Sequence, residues 1–415
     1  MAKIRPFKAI RPQNQYAKKV AALPYDVMNR QEAYQEIQDK PYSFLRIDRA
    51  ETTLDQSIST YDQRVYQKAK ENFSKMIETK IFVQDQEPYL YLYQLTMGDR
   101  SQTGLVCATS VDDYKNNVIK KHEKTREDKQ IDRIKHVDAL DANTGPIFLA
   151  YRQKQKIADQ ISQVKENKSD IQFVAEDGIS HEIWLIKDQK IISNLVSEFD
   201  KLEALYIADG HHRSASAVKV AEMRRQANPD YTGDESFNYF LSVLFPDEEL
   251  MIYDYNRLVK DLNGFSENEF LDGISKKFEL EKFGKEIYKP QTKTEFSMYL
   301  AGEWYILKAK DNTYDPNDVI DNLDVSILQN NLLDPILGIK DPRTDNRIDF
   351  VGGIRGLKEL ERRVDNGEME VGFALYPTSI SELFAVADAD MLMPPKSTWF
   401  EPKLRSGLFI HSLSD

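Results

Sequence analysis

The sequence predicts an α/β protein of the α+β kind, with mixed sheets and an additional C-terminal α/β region. Three observations carry this. Segments with the period-two alternation of strands interleave with segments of helical period along the whole chain. Apolar residues make up 41% of the 415 residues, while glycine and proline number only 17 and 16, which excludes disordered, collagenous and low-complexity scaffolds. That length supports two or three domains at ~150 residues each and is ample for a buried core.

In chain order, the stretch to about Asp26 is punctuated by proline and reads as extended. Residues 54–79 read as a long helix, because Tyr61, Val65, Ala69, Phe73 and Met76 recur three or four apart with charges between them. Tyr89, Tyr91 and Tyr93 alternate as a strand, and 103–111 forms a second strand, with Gly98-Asp99 as the hairpin turn. Residues 148–151, 171–175 and 182–186 read as strands and 191–199 as a helix. Residues 205–208 form a short buried strand that runs into a helix over 214–226, and 228–235 is a loop before the strand 240–245. A second region begins near Asp261, with helices over 267–278, 326–333 and 356–366 and strands near 304–308, at 371–375 and at 383–387. The division is therefore expected at 1–260 and 261–415, with the tail 391–411 contributing to the site of the first part, or with both parts sharing one body.

A net charge of −12 and an isoelectric point near 5.2 argue against non-specific nucleic-acid binding, which needs net positive surface. The single cysteine, Cys107, sits in the apolar run Leu105-Val106-Cys107-Ala108 and is expected to be a small core residue. There is no zinc-finger spacing and no HExxH motif. The N-terminal residues hold no hydrophobic signal region, and no window approaches a membrane span, so the cytoplasm is the expected compartment.

The sharpest local feature is Tyr206-Ile-Ala-Asp-Gly-His-His-Arg-Ser-Ala-Ser-Ala217. A buried strand ends in Asp-Gly and a helix follows at once. Gly210 can take a positive φ and admit a close ligand. The first helix amides have no intrahelical partner and sit at the positive end of the helix dipole, which makes a phosphate site. Arg213 offers a planar fork for phosphate oxygens, and His211 and His212 offer further donors. Asp209 can hold Mg²⁺ or take a substrate proton. The same residues also fit a plain helix start capped by Asp209.

This strand, turn and Ala-rich helix resembles the phosphate-binding signature of the ParB/sulfiredoxin superfamily. The form Asp-Gly-His-His-Arg is similar to that of its free serine kinases. Over nearly its whole length the chain resembles a domain-of-unknown-function family, through Arg5-Pro6-Phe7, Pro24-Tyr25-Asp26-Val27, His122-Glu123-Lys124-Thr125, Asp209–Arg213 and Met393-Pro-Pro-Lys-Ser-Thr398. The resemblance implies a ParB/sulfiredoxin-like nucleotide-binding core and phosphoryl transfer from ATP or ADP, with Mg²⁺, to free L-serine. It also implies that Gly210, His212 and Arg213 hold phosphates, that Asp209 and Glu123 share the metal and base roles, and that His211 assists the transfer. Sulfiredoxins carry a cysteine directly after the motif glycine; His211 stands there, so sulfur-oxide chemistry is disfavoured. A ParB-like nucleotide switch, or a regulatory protein without turnover, is the alternative. The expected partners are a nucleotide and an amino acid, with neither membrane nor nucleic acid.

Supporting residues lie elsewhere. Residues 115–136 hold six Lys and two Arg against two Glu and two Asp, a local charge of +4 that would attract a polyanion. Within this stretch His122, Glu123, Thr125 and Arg126 place imidazole, carboxylate, hydroxyl and cation together, though such runs are also ordinary solvated surface. Tyr25 and Asp26 follow Pro24 and either line a substrate pocket or make an Asx turn. Asp132 and Arg133 read as a local helix pair. Lys396 could reach a phosphate, and Ser397 and Thr398 could hydrogen-bond substrate, or the tail could simply be pinned by Trp399. Gly352-Gly353-Ile-Arg-Gly356 lacks the Gly-Lys-Ser/Thr ending of a phosphate loop and reads as a turn before a helix.

Overall fold

The computed structural model describes residues 2–414 and is mixed α/β with several sheets. The chain forms two compact units. The first takes the chain up to Lys121, Thr125–Leu250, and the chain from Pro402 onward; the second takes His122–Lys124 and Met251–Glu401.

The first unit is built on one mixed sheet. Its strands run in the order Ile119–Lys120, Leu205–Asp209, Ile147–Tyr151, Tyr239–Pro246, Arg100–Ser110, Leu90–Met97, Ser180–Ile186 and Ile171–Val174, and Ile4–Arg5 pairs with Arg100–Ser110. Two pairs are parallel, Leu205–Asp209 with Ile119–Lys120 and Tyr239–Pro246 with Ile147–Tyr151; the others are antiparallel. The expected hairpin is present: Met97 faces Arg100 across Gly98-Asp99, and Gly98 has φ 64°. The strand of the alternating tyrosines is present, and Leu90–Tyr93 are all buried. The sheet is covered on both sides, and a doubly covered strand loses its polar face.

Cys107 lies in this core as expected. Burial pushes its thiol up to about 12, and its Sγ touches the Thr109 and Ser242 hydroxyls at 3.6 and 3.8 Å. A thiol held protonated is inert. Cys107→Ala is therefore expected to shift stability by only on the order of 1 kcal/mol and to leave any turnover unchanged. Thermal melting and a thiol-labelling rate, slow until denaturant is added, check this.

The helix expected over 54–79 starts later, at Gln63, and ends at Glu78. Asp62 caps it by accepting the Arg64 amide, while Asp55 draws the Ser57 amide at 2.9 Å into a local turn that helix formation would break. The charged stretch 115–136 is partly regular: a helix runs Glu127–Leu140 and packs against the helix His211–Ala227.

The second unit centres on an antiparallel sheet in the order Phe278–Gly284, Glu303–Ala309, Glu295–Leu300, Val371–Leu375, Tyr255–Val259 and Ile348–Gly352. Residues 383–387, expected as a strand, belong instead to the helix Ile380–Asp388. Its capping box decides this: Ser379 Oγ accepts the Glu382 amide and Glu382 accepts the Ser379 amide. The helix expected over 267–278 stops at Ser275, and Phe278 opens a strand. Gly352 ends a strand, and a Cβ there would meet the Trp399 ring at 2.6 Å, which explains the glycine without any phosphate. Among the described residues no helix is long and apolar enough to cross a membrane.

Candidate functional site

The strand Leu205–Asp209 is buried through Ala208, and its pairing with Ile147–Tyr151 slips between Ile207 and Asp209. Such a slip re-aims the side chain that follows it. Gly210 then takes φ 98° and ψ 31°, the left-handed region, and is itself the N-cap of the helix His211–Ala227, with no side-chain cap bond. Asp209 is therefore not a capping residue. Glycine is favoured here by its φ, and a Cβ would in addition crowd Nε of Arg213 at 3.1 Å. The helix is lined with buried small residues, Ser214 to Ala217, which let it pack closely and hold its N-terminus in place.

Two cations converge on one carboxylate oxygen. Asp209 Oδ2 lies 3.4 Å from Lys403 Nζ and 3.5 Å from Arg213 Nη2. The Asp209 side chain keeps 27% of its surface exposed, whereas Arg213 and Lys403 keep 10% each. Burial works against the Asp209 charge, but Lys403, Arg213 and His211 outweigh it and hold the carboxyl down to about 2. Asp209 is thus ionised at neutral pH and a reluctant proton acceptor.

Arg213 is braced from behind. Its Nη1 donates to the Pro146 carbonyl, and a Cβ on Gly145 would lie 3.3 Å from its Cδ. Its Nε is buried with no hydrogen-bond partner among the described residues. Beside it a cavity of ≈ 20 Å³ is lined by Tyr25, Asp48, Arg133, His136 and Thr144 among others. Arg133 pairs with Asp132 at 2.7 Å and stacks over the Tyr25 ring at 4.1 Å. Asp48 accepts Thr144 Oγ1 at 3.0 Å and faces His136 Nε2 at 3.4 Å. Burial, with Arg133 next, lowers the His136 pKa, so the ring is neutral.

The expected site residues fall into two sets. Tyr25, Asp26, Asp209 to Arg213, Thr125 and Arg126 belong to the first unit. Tyr25 and Asp26 come close enough to Arg213 to raise its pKa. His212, expected on phosphate, accepts the Arg126 amide at Nε2 over 2.9 Å, so that nitrogen is already engaged. Arg126 turns its guanidinium to Asp128 at 2.9 Å on the exposed surface. His122, Glu123, Lys396, Ser397 and Thr398 belong to the second unit. There the His122 carbonyl accepts the Met393 amide at 2.8 Å, Ser397 Oγ donates to the Pro394 carbonyl at 2.6 Å, and the Lys396 carbonyl accepts Arg257 Nη2 at 3.0 Å. Lys396 itself adopts φ 61°, with its ammonium 5.7 Å from the Tyr255 ring centre.

Sequence reasoning missed Lys403, and it read Arg133 only as a helix partner. Lys403 and Arg405 flank Leu404 shortly before the apolar run Leu408-Phe409-Ile410, and the fold buries both. A buried cation needs a partner, and Asp209 is that partner.

The residues do not fit a resident metal ion. Among the described residues no three His, Cys, Asp or Glu side chains group to hold one. Oδ2 of Asp209 already faces two fixed cations, which supply the positive charge a metal would bring.

Among solved structures, the chain is similar to a conserved hypothetical protein from Pyrococcus furiosus, with 14% identity, 74% of this chain and 94% of that one covered, and a TM-score of 0.37. It is similar to a free serine kinase in complex with AMP at 13% identity, covering 74% and 91%, with a TM-score of 0.37. It is also similar to SbnI with C-terminal truncation from Staphylococcus aureus at 12% identity, covering 74% and 87%, with a TM-score of 0.39. No curated protein matches it. A family model described as "Protein of unknown function (DUF1015)" matches residues 4–326, and the chain belongs to that family.

Proposed function

We propose that the protein transfers a phosphoryl group from ATP or ADP to the hydroxyl of free L-serine, giving O-phospho-L-serine. The observation that carries this reading is the single ionised carboxylate of Asp209 held between Arg213 and Lys403, next to a helix N-terminus opened by Gly210. Phosphoryl transfer asks the protein for positioning and for cations on the phosphates, with a carboxylate to orient the attacking hydroxyl. In this reading the helix amides, Arg213 and Lys403 hold the phosphates. Asp209 accepts a hydrogen bond from the serine hydroxyl and aligns its oxygen. That oxygen attacks the terminal phosphorus, the bond to the departing nucleotide breaks, and the hydroxyl proton leaves to water. Tyr25 and Asp26 line the acceptor side. The choice of serine rests on the resemblance of Asp209-Gly-His-His-Arg213 to free serine kinases.

The test is a ³¹P NMR time course with purified protein, Mg²⁺ supplied with the nucleotide, ATP or ADP, and L-serine. A growing phosphoserine signal that requires both nucleotide and serine is expected. Tight nucleotide binding without phosphoserine would sink the reading. It would favour the second reading, a nucleotide-binding switch, which has one observation on its side: a carboxyl held near 2 is a poor base at neutral pH.

A further inference from the structure

A second cavity in the first unit, of ≈ 730 Å³, is lined by none of the residues from Asp209 to Arg213. Its size falls within the roughly 300–1,000 Å³ of small-molecule sites. Lys40 lines it, pairing with Glu36 at 2.6 Å and Glu176 at 2.7 Å, and so ties two separate chain segments together. Arg405 contributes a buried wall. Its Nη2 donates to Asp177, and its Nε is buried with no hydrogen-bond partner among the described residues. Behind Arg405, the Tyr93 hydroxyl accepts the Arg405 backbone amide and meets His181 Nδ1 at 2.8 Å. Burial pushes His181 down to about 3, so the wall carries the Arg405 charge without a second cation. Tyr42, with Leu23 and Met28, supplies apolar surface.

We infer that this cavity binds a zwitterion with an apolar body, of the class of free amino acids with bulky aliphatic or aromatic side chains. Four lysine or arginine and four aspartate or glutamate side chains line it. Equal numbers cancel at a distance, so a polyanion gains little by entering. A ligand with one carboxylate and one ammonium finds a partner for each. The ligand carboxylate takes the place of Asp177 on the Arg405 guanidinium, the Asp177 so released holds the ammonium, and the Tyr42 ring covers the apolar part. The inference stands apart from the phosphotransfer reading, since the two sites share no lining residue among Asp209–Arg213.

The experiment is isothermal titration of the full chain with L-phenylalanine and L-leucine. Two half-ligands accompany them: 3-phenylpropionate, which lacks the ammonium, and phenethylamine, which lacks the carboxylate. One-site saturable binding of at least one amino acid is expected, with each half-ligand at least about tenfold weaker, as loss of a charge-assisted hydrogen bond requires. Arg405→Gln should weaken binding by about tenfold or more. Because Arg405 is buried and its variant could fail to fold, Asp177→Asn and the cavity-filling Ala175→Trp accompany it. Ala175→Trp should abolish binding while phosphoserine formation or nucleotide binding persists. Three results would overturn the inference: no saturable binding of either amino acid at millimolar concentration, half-ligands that bind as tightly as the amino acids, or unchanged binding in folded Ala175→Trp.

Discussion

Asp209→Asn protein is expected to bind nucleotide at least as tightly as the wild type and to lose turnover by about a hundredfold or more. Asp209 is the internal counter-charge of Lys403 and Arg213. Removing it frees two fixed cations for phosphate oxygens, so affinity holds or rises. The same change removes the acceptor that orients the hydroxyl, and an interaction of that kind acts on kcat. Arg213→Lys should do the opposite. It keeps the charge but loses the planar fork, and nucleotide binding should weaken by roughly ten- to hundredfold, the scale of a charged hydrogen bond. Fluorescence titration with nucleotide and single-turnover kinetics on the two variants separate the roles. Near-wild-type turnover in Asp209→Asn would remove Asp209 from the active site. Gly210, not Asp209, is the helix cap, so a loss in Asp209→Asn is not a capping effect.

Stability of the same variant has a defined pH dependence. The Asp209 carboxyl is lowered from 3.8 to about 2 in the folded protein, by cations that outweigh its burial. Its stabilising contribution is therefore fully present above about pH 4 and disappears as pH falls through about 2. The gap in melting temperature between wild type and Asp209→Asn should narrow as the solution is acidified.

Asp324→Asn is expected to stabilise the protein at pH 8 and to be nearly neutral at pH 4.5. Asp324 is buried at the start of the helix Asp324–Leu328 in the second unit. Its Oδ1 accepts the Thr294 amide at 2.9 Å, while its Oδ2 has no hydrogen-bond partner among the described residues. Burial pushes this carboxyl from 3.8 up to about 7; the Thr294 amide and Lys293 oppose the rise, and Glu382 adds to it. Between those two values the folded state holds more protons than the unfolded state. Stability therefore falls as pH rises through this window, and the loss is complete above about 7. At about 1.4 kcal/mol per pKa unit the shift caps the effect near 4 kcal/mol, and local relaxation brings the expected gain to on the order of 2 kcal/mol. Asparagine keeps the acceptor for Thr294 without the charge. Denaturant titrations at the two pH values check this, and a destabilised Asp324→Asn at pH 8 would show that the carboxylate has a partner after all.

The sequence by itself determined whatever is decided within a few neighbouring residues. The Asp209-Gly210 turn between a buried strand and an Ala- and Ser-rich helix was legible because Gly210's left-handed φ and the helix start are local properties. The Gly98-Asp99 hairpin and the buried Cys107 were legible for the same reason. Residues 383–387 were misread because five apolar positions fit either period; the Ser379 and Glu382 capping box that resolves them lies just outside the run. Only the tertiary structure decided the partners of the motif. Lys403 reaches Asp209 across 194 residues of sequence, and Tyr25 reaches Arg133 and Arg213 from the N-terminal segment. Tertiary structure also assigned Glu123 and Lys396 to a different unit from Asp209. No local propensity encodes such meetings. Burial does: a charge taken out of water must find its opposite wherever the folded chain delivers it.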